Sequence, residues 1–378
     1  MKKKFSLLMM VLFASHAIMF TQIIPYLTHV GYNPIQRGYI LTAYALFGMI
    51  GQVLFGYLSD RHATIKRFII IATVMVMISG FLTFQFQALN FSFHFLLMSI
   101  TAGSTRIVGN LLETWILEVD TVRDDFSFIR SFGSLGWGLA SLLSGVVAIR
   151  LGYQYLGYIS ILLSLLALWI AVGVEDASKT SAQNLVISDL AVLFKNKNYV
   201  LLVVAYFLIY VIYNSDVVTV TEYIFYLGGD AQDVGTKMFL QALSEIPVLF
   251  LGSRLLKRFN AVKLLKASLV ILLLRFALTG MATSVNQVIL LSLLQAVTFP
   301  IILITQRQLI YEEVPEGLKS SGQMMAFSLS TSLSAIVSPL LSSYLLTLFP
   351  MEQVLFILAA IVVIPFLLLG FYKGKLHA

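Results

Sequence analysis

Apolar residues along this chain do not alternate; they run in long stretches separated by short polar corners. The stretches lie near 5–28, 35–58, 67–87, 92–117, 127–149 and 154–174, and again near 198–226, 233–255, 261–281, 285–310, 320–347 and 352–372. About 20 apolar residues suffice for one helical crossing of a bilayer, so each stretch predicts a transmembrane helix. In hydrocarbon every backbone polar group must be paired within the protein, which leaves helices and closed barrels as spanning structures. Barrel strands would alternate over about ten residues. The pattern therefore predicts an all-α polytopic membrane protein of twelve transmembrane helices in two six-helix bundles. The first run follows Lys2, Lys3 and Lys4 and continues from Phe5 to about Tyr26. That exceeds the roughly 7–15 residues of a signal-peptide core, so it is read as a retained span.

Between the sixth and seventh runs the composition turns polar, from Glu175 through Lys179, Gln183 and Asn184 to Lys195 and Lys197. This divides the chain into an N-terminal bundle (1–174), a linker (175–197) and a C-terminal bundle (198–378). A local repeat points to two related halves. Gly56-Tyr57-Leu58-Ser59-Asp60-Arg61, with Lys66-Arg67, follows the second run, and Gly252-Ser253-Arg254-Leu255-Leu256-Lys257-Arg258 follows the eighth. Two halves with a site near the midplane is a recurrent secondary-transporter plan.

Composition agrees. Hydrophobic residues make up 59% of the 378 positions and charged residues 11%, far from the near-quarter charge of a soluble domain. Lys and Arg outnumber Asp and Glu, 25 to 18, but they sit in corners between apolar runs. The excess is thus a topology signal and not a nucleic-acid patch. Lys2, Lys3, Lys4, Arg61, Lys66, Arg67, Arg123, Lys179, Lys195, Lys197, Arg254, Lys257, Arg258, Lys263, Lys266, Lys319, Lys373 and Lys375 fall on one side, against Arg37, Arg150 and Lys237 on the other. The positive-inside rule then places both termini and the linker in the cytoplasm of a bacterial inner membrane. The chain has no cysteine, which excludes disulfides and thiolate chemistry.

The corner Gly56 to Arg67 resembles the major facilitator signature between the second and third spans, G-x-L-x-D-R followed by a basic pair. Gly56 would permit close packing, while Asp60, with Arg61 and Arg67, would form a conformational latch. Arg130-Ser131-Phe132-Gly133-Ser134-Leu135-Gly136-Trp137, with Glu113 one span earlier, resembles the oligosaccharide:proton symporters of the lactose permease type. That resemblance implies that Glu113 and Arg130 bind sugar hydroxyls and Trp137 stacks on a pyranose face. Arg275 and Pro300 fall where that family has an Arg and a Pro. Gln295, Thr298 and Thr331 replace its His, Glu and Lys, so that route for a proton is absent. Ser244-Glu245-Ile246-Pro247 is similar to the branch that includes nucleoside and phenylpropionate permeases.

Charges inside spans cost about 2.5–3.5 kcal/mol each on insertion scales and usually face an aqueous cavity or the bundle interior. Arg106, Asn110 and Glu113 lie at i, i+4 and i+7 of the fourth span and share one helix face. In the C-terminal half the intramembrane charges are Asp216, Glu222, Glu245 and Arg275. Glu245 is the candidate proton carrier, because a carboxyl in a low-dielectric cavity cycles between neutral and charged forms. Glu113, Asp216 and Arg275 complete the coupling set. Tyr213, Asn214, Gln241, Gln295, Gln306 and Gln308 offer neutral hydrogen-bonding groups, suited to ligand hydroxyls or to helix contacts. His16 is either a packing residue or a proton relay.

No H-E-x-x-H or G-x-S-x-G motif supports an intramembrane enzyme. The sequence predicts a secondary transporter without cofactor or metal that works as a monomer in a lipid bilayer. It would move a small polar solute, a sugar or nucleoside, by alternating access with protons as the coupling partner; the alternative is an exporter of drugs or small organic anions. Reporters of cytoplasmic exposure should respond at both termini and within 178–197. A periplasmic C-terminus would break the even span count.

Overall fold

The computed structural model describes residues 1–177, 191–315 and 318–373. Residues 178–190 of the polar stretch, and Lys375 of the basic pattern, lie outside the described residues. Among the described residues there is no strand, and ten helices are long and apolar enough to cross a membrane. The protein is therefore an all-α, multi-pass membrane protein.

The corners show why the helices start and stop where they do. Helix α1 (Lys2–Val30) ends at Gly31, whose φ of 103° lies in the left-handed region that favours glycine. Helix α2 (Pro34–Arg61) starts with a reciprocal cap, in which Gln36 N–H donates to Asn33 Oδ1 and Asn33 N–H donates to Gln36 Oε1. Helix α3 (Lys66–Gln85) has no side-chain cap from its own N-cap residue. Asp176 supplies one from far along the chain. Its Oδ1 accepts from the N–H groups of Ile65 and Lys66 at 3.2 and 3.0 Å, and its Oδ2 from Thr64 Oγ1 at 2.5 Å. Lys66 Nζ donates back to the carbonyls of Val172 and Val174.

Then follow α4 (Phe91–Glu118), α5 (Phe126–Arg150), α6 (Gln154–Val172), α7 (Lys197–Tyr226), α8 (Ala231–Arg258) and α9 (Ala261–Gly280). The last three are α10 (Val285–Glu313), α11 (319–348) and α12 (Met351–Leu368). Helices α8 and α9 are 28 and 20 residues long. On α9, Lys263, Lys266 and Arg275 keep it outside the apolar set.

Contacts divide the chain into two compact units: Met1–Gln183 with Gly229–Leu243, and Asn184–Gly228 with Ser244–Ala378. The first unit therefore includes the first half of α8. In it α1 packs on α5 and α6, α2 on α4, and α3 on α4 and α6. Its core closes around Trp115, fully buried, edge-on to Phe5 at 5.4 Å and donating from Nε1 to Glu175 O. Small residues allow backbones to meet. A Cβ at Gly136 would overlap the Met10 carbonyl, and one at Gly145 would lie 2.5 Å from Ala231 O.

In the second unit α7 packs on α11 and α12, and α9 on α10 and α12. These pairings repeat those of α1 with α5 and α6 and of α3 with α4 and α6, as expected of related halves. Two of its helices are irregular. Helix α10 passes through a 3-10 segment, Ser292–Val297, before resuming at Phe299 with Pro300 in its first turn. Helix α11 contains a π-helical turn, Ser328–Ser332.

Gly56, expected to permit close packing, has no such neighbour: within its unit a Cβ there would meet nothing within 4 Å. Gly136→Ala should therefore cost about 1–3 kcal/mol by overpacking, read as a lowered thermal midpoint in mild detergent. Gly56→Ala should stay within about 0.5 kcal/mol of the parent. Equal midpoints for the two variants would contradict this packing.

Candidate functional site

In the first unit the residues of interest come from α1, α4 and α5. Arg106, Asn110 and Glu113 share the open face of α4: Asn110 is exposed and the other two are half-buried, while Thr105, Ile107, Val108, Leu111 and Leu112 pack inward. Arg130 Nε donates to Glu113 Oε1 at 2.7 Å, and the two side chains remain 37% and 36% exposed. The Arg130 guanidinium also lies over the Phe13 ring, 4.4 Å from its centroid. Beside this pair, Trp137 meets His16 edge-on at 5.0 Å and Phe20 at 5.3 Å. Gly133 lets α5 approach Met9, and Gly136 the α1 backbone, which brings Arg130 and Trp137 against α1. The result is an aromatic wall next to a half-exposed ion pair.

The second unit is arranged differently. Arg275 Nη2 donates to Asp216 Oδ1 at 2.5 Å, with side chains only 3% and 7% exposed. Arg275 Nη1 donates to Gln295 Oε1, and Gln295 Nε2 to the Tyr213 hydroxyl at 2.8 Å. Tyr213 in turn stacks on Phe299 at 4.7 Å, just past the break in α10. Asn214 Nδ2 donates to Ser334 Oγ at 3.0 Å. Tyr210 donates to Gln306, whose Nε2 reaches Ser330 Oγ in the π-helical turn. Glu222 is buried and Glu245 is half-buried, while Gln241, also buried, lies on the part of α8 that belongs to the first unit. Thus Gln295 and Asn214 are committed to helix contacts here, whereas Asp216 and Arg275 form one buried network.

At the corner after α2, Asp60 and Arg61 are exposed, as is Arg67 in the first turn of α3. The corner is organised by Asp176. Among the described residues no group of three or more His, Asp or Glu could hold a metal ion.

A family model described as the MFS_1 like family matches residues 3–356. The chain belongs to that family. A lactose permease from Klebsiella oxytoca is 22% identical over 338 residues, 80% of this chain and 77% of that protein. A probable sugar efflux transporter from Helicobacter pylori is 26% identical over 166 residues, so this chain spans about two fifths, 42%, of that relative's length. Among solved structures, a point-mutant form of the nucleoside transporter NupG superposes with a TM-score of 0.89 at 18% identity, covering 98% of this chain and all of that one. A D-xylose-proton symporter superposes with a TM-score of 0.78 at 15% identity, covering 99% and 97%. These matches establish the major facilitator fold.

For this major facilitator protein, sequence reading missed Phe13 and Phe20, which flank Arg130 and Trp137. With His16 they recur at i, i+3 and i+7 along α1, a spacing that puts all three on one face. It also missed Asp176 as a cap, because nothing local links that residue to α3. Asp216→Ala should cost about 3–5 kcal/mol by stranding a buried guanidinium, and the double change with Arg275→Leu should recover much of it. Additive losses in the double variant, measured by thermal unfolding, would count against a coupled pair.

Proposed function

We propose that the protein is a secondary active transporter of a sugar or nucleoside that works by alternating access and couples transport to protons. The observation that carries this is the half-exposed Glu113–Arg130 pair beside Trp137. A hydroxylated ligand can exchange hydrogen bonds with such a pair at little cost, while an aromatic ring accepts the apolar face of a sugar or a base. The names of its relatives, a lactose permease and a sugar efflux transporter, and of its structural neighbours, a nucleoside transporter and a xylose-proton symporter, support the same solute class. In this reading Glu113, Arg130, Trp137, Asn110 and Arg106 contact the solute, and Gln295 and Asn214 position the α10 and α11 irregularities. Gly56, Asp60, Arg61 and Arg67 act as the conformational latch.

Proton coupling needs an acid other than those at the family's usual positions, because Gln295 and Thr298 do not titrate. Glu245, half-buried on α8 ahead of Pro247, fills that role. If the two facing states differ in proton affinity at Glu245, protonation shifts their populations and drives uptake. Asp216 and Arg275 would tune that affinity. Export is the second reading, favoured by the Helicobacter relative described as an efflux transporter.

Glu245→Gln, which mimics the protonated form, should abolish uphill accumulation in energised cells while preserving solute exchange in proteoliposomes. Accumulation at the parent level would remove Glu245 from coupling. Accumulation only in everted vesicles would assign export.

A further inference from the structure

We propose that the transported solute carries a carboxylate on its sugar-like body, and that Arg106 of α4 is the cation that holds it. This deepens the reading above and rests on it.

A charge in the middle of a span needs compensation. Arg275 has Asp216, Arg130 has Glu113, and Arg37 donates to the Tyr32 carbonyl. Lys237 is also engaged. Arg106 differs: among the described residues its guanidinium has no hydrogen-bond or ion-pair partner, and unlike Arg307 of α10, which shares that feature but is exposed, it is half-buried. Its carbonyl, not its side chain, is what Gln52 Nε2 contacts at 3.3 Å. Its stem is nonetheless well placed, because a Cβ at Gly48 would lie 3.2 Å from Arg106 Cδ. Gly48 therefore leaves room for the Arg106 side chain against α2.

On the open face of α4 Arg106 stands two turns before Glu113, with Asn110 between them. Arg130 neutralises Glu113, so the cluster keeps one positive charge over. The His16 ring lies within electrostatic reach of both arginines and against Trp137. A neutral sugar seated on Trp137 would displace water from Arg106 and leave it uncompensated. A carboxylate at the same depth would pair with it through two parallel N–H···O bonds. The site thus fits a uronic or aldonic acid better than its neutral parent.

The test uses the full chain in lipid nanodiscs, with thermal stabilisation and competition for uptake read across matched probes. These are glucose with glucuronate, galactose with galacturonate, gluconate, and uridine as a neutral nucleoside. At least one acid should bind about tenfold or more tightly than its neutral partner, the factor expected for a hydrogen bond to a charged group. Arg106→Gln should remove that preference and Arg106→Lys should keep a good part of it, which a merely structural role for the stem would not produce. Neutral sugars or uridine binding as well as the acids, or an acid preference that survives Arg106→Gln, would overturn the proposal and leave the transporter reading standing. Binding of none of the probes would overturn both.

Discussion

Charge compensation away from water is the constraint on which the second unit depends. A guanidinium taken out of water costs several kcal/mol even after relaxation, and one carboxylate offsets this only when the remaining donors are also satisfied. Arg275 meets both demands. Asp216 takes one end of its fork and Gln295 the other, and Gln295 passes its own donor on to Tyr213. Helices α7, α9 and α10 are tied together by this one chain of contacts. Gln295 lies in the 3-10 segment of α10 ahead of Pro300, which has no N–H to continue the regular ladder. A neutral amide is suited to this position because it accepts and donates at once, which a carboxylate in the same place could not do.

How far the structure was legible from residues alone follows from the range of the forces involved. Helix positions were readable because each long apolar run is a self-contained statement about its solvent. Helix α9 was found at the expected place although Lys263, Lys266 and Arg275 make it a poor candidate on hydropathy alone. The Arg106, Asn110 and Glu113 stripe was legible from helical spacing. The resemblance singled out Glu113 and Arg130 as sugar-binding residues, and their ion pair at 2.7 Å is what the structure adds. Non-local satisfaction was not legible. Asp176 capping α3, Trp115 donating to Glu175 O and the π-helical turn at Ser328–Ser332 each depend on groups brought together only by packing. At Gly56 the motif suggests a close contact, and within its unit the space beside it is open.

The two arginine–carboxylate pairs differ in the property that decides their use. Asp216 and Arg275 are almost fully withdrawn from solvent, so opening that pair to a ligand would expose two desolvated charges at once. Such a pair holds helices together and is a poor surface on which to exchange partners. Glu113 and Arg130 keep more than a third of their side-chain surface exposed. There each ion already shares its hydrogen-bonding capacity with water, and a ligand hydroxyl replaces that water with little net change in desolvation. A transport site must release what it binds, so its contacts should be of the exchangeable kind. The same logic separates Gln295, committed at both ends of its amide, from Asn110, exposed on the face it shares with Glu113. Within the first unit the stripe of α4, with its partners on α1 and α5, offers contacts of the exchangeable kind, whereas within the second unit the network of α7, α9 and α10 is of the committed kind.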